Sequence, residues 1–124
     1  MRELAEVLQS ELEVVRDLLA VCRREQDALV ADDLEAIRAA AERKGELARI
    51  LAALEEERQL AVAGEAPAPG TEELRCTLRQ AVGELREVNE TNRLLARQSL
   101  AYVHKMLSLL LLEDQAPALV DRLV

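Results

Sequence analysis

Apolar residues recur at steps of three and four along most of this chain. In the first stretch they fall at Leu4, Leu8, Leu12, Val15, Leu19, Cys22 and Leu29, with Gln26 as the polar exception. Such spacing lines one face of a helix, predicted here over about residues 2–30. A second set, Ile37, Ala40, Leu47, Leu51, Leu54 and Ala61, predicts a helix over about residues 33–62, with the charged runs "ERK" and "EEER" facing water. The third set is the most regular. Leu74, Leu78, Ala81, Leu85, Val88, Asn92, Leu95, Ser99, Tyr102, Met106 and Leu109 alternate steps of four and three. That is a heptad seam over about five repeats, on a helix of about residues 71–112.

Between these helices the chain carries punctuation. Asp32 is placed to cap the second helix, and Glu35, three residues on, completes a capping-box pattern. The caps fit either a turn or a kink in one continuous helix of about 60 residues. In "AVAGEAPAPG", residues 61–70, Gly64 suits a helix C-cap, while Pro67 and Pro69 exclude helix. Residues 63–70 are therefore expected to be a flexible connector that lets the chain reverse. Thr71 offers the next N-cap, with Glu72 and Glu73 favourably placed on the helix dipole. The expected fold is all-α. It is an elongated antiparallel helical hairpin or bundle of three long helices with coiled-coil-like packing, forming a single domain over residues 1–124. Asn92 and Ser99 interrupt the third seam, either as buried polar groups that fix register or at a wet edge of it.

Composition narrows the function. Half of the 124 residues are apolar, nearly all Leu, Ala and Val, and Tyr102 is the one aromatic. The formal net charge is −8, which argues against nucleic acid and anionic membrane as partners. The start, "MRELAEVLQSELEVV", carries acids where a signal peptide carries a basic region and an apolar run. No apolar stretch reaches the roughly 18 residues of a membrane span. A cytoplasmic location is expected. Cys22 and Cys76 have neither metal-ligand nor redox spacing and are expected to be free thiols. His104, the one histidine, has no clustered ligand or relay partner. Ser10, Ser99 and Ser108 lack a nucleophile context, and the glycines are too scattered for a phosphate loop. Neither an enzyme nor a cofactor or metal is expected.

What remains is surface for binding. Met106, Leu107, Leu109, Leu110, Leu111 and Leu112 point nearly all round their helix, more than one neighbouring helix covers. Beyond Pro117, Leu119, Val120, Leu123 and Val124 add a second apolar set. Apolar patches of this extent mark interaction sites. Alternatively the tail, residues 113–124, folds back to bury the leucines, or two copies bury them as a homodimer.

"LREVNETNRLLARQSLAYVHKMLSLL", residues 85–110, resembles the long C-terminal helix of the FlgN family of flagellar export chaperones. The resemblance lies in Asn89, Asn92, Leu94, Leu95, Ser99 and Leu100. "RKGELARILAALEEER", residues 43–58, is similar to the family's earlier helical pattern through Lys44, Leu47, Leu54, Glu55 and Arg58. The resemblance implies a small acidic, cytosolic helical chaperone without catalytic activity. Such a protein binds the C-terminal regions of the hook-associated junction proteins FlgK and FlgL and delivers them to the type III export gate. It also implies that client contacts lie in the C-terminal part. The set expected here is Leu95, Ser99, Tyr102, Met106, Leu107, Leu109, Leu110, Leu111, Leu112, Leu119, Val120 and Leu123. The stretch after residue 112 is shorter than in many relatives, so the contacts lie on it or further back along the third helix. The rival reading is a structural coiled-coil or scaffold protein that homodimerises through its Leu-rich helix end.

Overall fold

A computed structural model describes residues 3–64 and 70–113. They form three helices: α1 (Leu4–Ala31), α2 (Leu34–Gly64) and α3 (Thr71–Glu113). The helices pack against one another as a bundle, and no strand occurs among the described residues. By contacts the chain divides into two compact units, residues 1–92 and 93–124.

In the first unit α1 lies at the centre. Its seam residues Leu4, Leu8, Leu12, Val15, Leu19 and Cys22 are buried, and so is a second row: Val7, Glu11, Leu18, Val21, Glu25 and Ala28. A helix facing one neighbour buries one stripe, whereas two rows mean that it is gripped from two sides. Leu18 and Val21 pack with Ala40 and Leu47 of α2, joined by Leu51 and by Leu85 of α3. Towards the other end, Leu4 and Leu8 meet Ala61 of α2, with Leu74 and Leu78 of α3 against them. This order makes α2 antiparallel to α1 and brings residues 71–92 of α3 back alongside α1. Each fully buried Leu or Val side chain stabilises the bundle by about 1.5–3 kcal/mol.

The α1–α2 junction is a turn between separate helices, with its capping shifted by one residue from the expected place. Asp32 ends α1 in the left-handed region, at φ 54° and ψ 36°. Its N–H reaches the Leu29 carbonyl at 3.3 Å, and the Asp33 N–H donates to the Ala28 carbonyl at 2.9 Å. Together these bonds make a Schellman ending. Asp33 is the residue that starts α2: its Oδ1 accepts the Ala36 N–H at 3.2 Å. Asp32 is already committed to closing the preceding helix, so it does not take the N-cap. Glu35 follows Asp33 by only two positions, so no capping box forms.

Candidate protein-binding surface

The polar residues on the helix seams of the first unit hold the helices in register. Asn92 is 3 % exposed, and its Nδ2 donates to the Cys22 carbonyl at 2.8 Å and to Glu25 Oε1 at 2.9 Å. Lys44 Nζ approaches the same Glu25 oxygen at 3.0 Å and Asn89 Oδ1 at 3.0 Å. One cluster therefore ties all three helices together, with the buried carboxylate of Glu25 bridged by an ammonium and an amide. A second buried acid, Glu11, lies 3.1 Å from Arg58 Nε. Burial pushes the Glu11 carboxyl above its ordinary range; Arg58 opposes that shift and Glu55 adds to it. Burial likewise raises the Cys22 thiol, against Lys44 and with Glu25, which leaves it an inert core group at neutral pH. Of the two alternatives for Asn92, the structure shows the buried, register-fixing one.

Residues 93–113 of the second unit present a different surface. Tyr102 is 66 % exposed, Leu109 54 % and Leu110 56 %, and Met106 and Leu107 are also exposed. At about 100° per residue, Leu95, Ser99, Tyr102, Met106 and Leu109 form one stripe. Val103, Leu107, Leu110, Leu100 and Leu111 extend it to an arc of roughly 200° around the axis. Arg97, His104, Lys105 and Ser108 lie on the remainder, together with Leu94. An arc this wide is too broad for a single packing seam and too apolar for a solvated face.

Of the residues expected to bind a client, Tyr102, Met106, Leu107, Leu109 and Leu110 are exposed together on this helix, and Leu95, Ser99 and Leu111 are half-buried. The side chain of Leu112, and Leu119, Val120 and Leu123, lie outside the described residues. Three further exposed apolar residues were not singled out by the heptad reading: Leu94, Leu100 and Val103. They fall off the seam and also outside the Leu-rich run of residues 106–112.

The surface offers apolar side chains that a partner can bury. His104 is exposed, and no group of three or more His, Cys, Asp or Glu among the described residues is placed to hold a metal ion. No described helix is long and apolar enough to cross a membrane.

The family model described as FlgN protein covers residues 1–117. No curated protein and no solved structure matches the chain.

Proposed function

This chain belongs to the FlgN family, and from that membership we propose that it chaperones the junction proteins FlgK and FlgL. FlgN proteins are flagellar export chaperones that bind hook-associated proteins; theirs is a chaperone family and not an enzyme family. Here the client segments are the C-terminal regions of FlgK and FlgL, held unassembled in the cytoplasm and handed to the type III export gate. Residues 1–124 act as one chaperone domain in this reading. The contacts lie on Leu95, Ser99, Tyr102 and the run from Met106 to Leu112, and continue through Leu119, Val120 and Leu123.

The observation that supports the reading is the apolar arc within residues 95–111, most of it exposed. A client terminus that packs as an amphipathic helix in the assembled structure is adhesive beforehand, and an arc of Leu, Met and Tyr can cover its apolar stripe. The chain's net charge of −8 keeps such a complex soluble. The arc is also broad enough to seat a second copy of the chain, which keeps a homodimer in view.

Calorimetric titration with the C-terminal segments of FlgK and FlgL from the same organism tests the proposal, using the wild type and L109E/L110E. Both substituted side chains are already exposed, so the variant should fold. Each buried leucine contributes about 1.5–3 kcal/mol to such an interface, so the double change should weaken binding by about 100-fold or more. A folded, monodisperse wild type that binds neither segment would sink the client assignment. Sedimentation of the same two proteins separates the homodimer: self-association that L109E/L110E abolishes, without client binding, assigns the arc to assembly.

A further inference from the structure

Within the first unit the three helices leave an open groove of about 730 Å³. Its floor is apolar, with Leu8 of α1, Leu51 of α2 and Leu78 and Val82 of α3 among its lining. Four arginines line the same groove: Arg58 from α2 and Arg75, Arg79 and Arg86 from α3. Only two lining residues, Glu11 and Glu55, are acidic, so the groove is locally basic in a chain whose net charge is −8. Arg58 is engaged by Glu11 at 3.1 Å and Glu55 at 3.4 Å, and Arg75 lies 4.0 Å from Glu72. Arg79 and Arg86 have no carboxylate partner among the described residues.

Gly83 is part of the groove's α3 wall. It sits well inside α3 and lines the cavity, and a Cβ placed on it would meet nothing within 4 Å. Neither a close approach nor a positive φ requires glycine there. A glycine inside a helix costs about 1 kcal/mol relative to alanine, and its effect here is to leave open the space that a side chain would fill.

We propose that this groove docks an acidic amphipathic helix of a partner protein. The apolar stripe of that helix lies on Leu51, Leu78 and Val82, and its Asp or Glu side chains bridge Arg79 and Arg86. Charge complementarity selects the occupant: free guanidiniums beside an apolar floor match carboxylates flanking a row of leucines. Arg75 and Arg86 are eleven residues apart, roughly 16 Å along α3, which is the length of about three turns of a docked helix. The site uses none of the residues of the proposed client arc, so it stands or falls separately from the FlgK and FlgL assignment.

The test is fluorescence anisotropy of the full chain with a labelled 14-residue synthetic helix, leucines along one stripe and glutamates on both flanks. A version with lysine in place of glutamate serves as control. The glutamate probe should bind saturably, more weakly as salt rises, and the lysine version should not bind. R79E/R86E should weaken binding at least tenfold. G83L should do the same while keeping every guanidinium and, as a better helix former, an undiminished thermal transition. Four results would overturn the docking site: no saturable binding to the wild type, equal binding of the lysine version, loss in R79E/R86E but not in G83L (diffuse charge attraction), or loss in L109E/L110E in place of the groove variants (the probe sits on the client arc).

Discussion

Asn92 stands where a heptad seam calls for an apolar residue, and its contacts explain why an amide is there. It donates to the Cys22 carbonyl and to Glu25 Oε1, while its own Oδ1 is buried without a hydrogen-bond partner. A group so incompletely satisfied is poorly suited to maximise stability. It does suit setting the register of α3 on α1, because only one alignment brings the amide to both acceptors. The interruption of the seam was legible in the sequence; the choice between register and wet edge was made only by the fold. The partners were not: Glu25 sits on the second row of α1, 67 residues from Asn92, and Lys44 reaches it from α2. Glu11 and Glu25 look like solvated acids until α2 is seen to cover them with Arg58 and Lys44. N92A leaves Glu25 with a single cationic partner and should cost about 1–3 kcal/mol. The measurement is the urea midpoint at constant m-value; a shift equivalent to less than about 0.5 kcal/mol, the range of an ordinary surface substitution, would show that the cluster carries no net stability.

At the scale of elements, the steps of three and four foretold three helices, and three helices form the bundle. Two boundaries differ from the pattern: α2 runs through Gly64, past the expected end at 62, and the cap at the α1–α2 junction is shifted by one residue. Asp32 and Asp33 are chemically identical as caps, so composition cannot choose between them. The choice is made by backbone geometry: α1 needs a left-handed residue to close it, and Asp32 takes that conformation. A short polar side chain tolerates left-handed φ better than most, yet glycine tolerates it best. D32G should therefore be more stable than D32A by about 1 kcal/mol, since alanine has neither the glycine's freedom nor a local hydrogen bond to offer. Comparing the two variants with each other cancels whatever else the Asp32 carboxylate does. Equal melting curves for the two would mean that the left-handed turn is not what holds the helices apart.

At the scale of the molecule, the exposed apolar arc was more legible than the groove. A helix that is apolar on nearly every side announces itself in one dimension, as "MLSLLLL" does. The groove is built from α1, α2 and α3 together, and Arg75, Arg79 and Arg86 taken alone are indistinguishable from a solvated basic face. The same contrast separates the two units energetically. In residues 71–92 the seam of α3 is held by Leu74, Leu78 and Leu85 against core clusters and by buried Asn92. In residues 94–110 most apolar side chains are exposed. A helix draws most of its stability from a packed face and little from propensity. Native-state hydrogen exchange should therefore be slow at Leu78, Leu85 and Asn92, near the global unfolding limit, and faster by at least 100-fold at Tyr102, Met106 and Leu109. Addition of a FlgK or FlgL C-terminal segment should slow exchange at the latter three and leave the former unchanged, because burial then reaches the arc. Uniform slow exchange along all of α3 in the free monomeric protein would mean that the arc is already covered, and a client would have to displace that cover before it could bind.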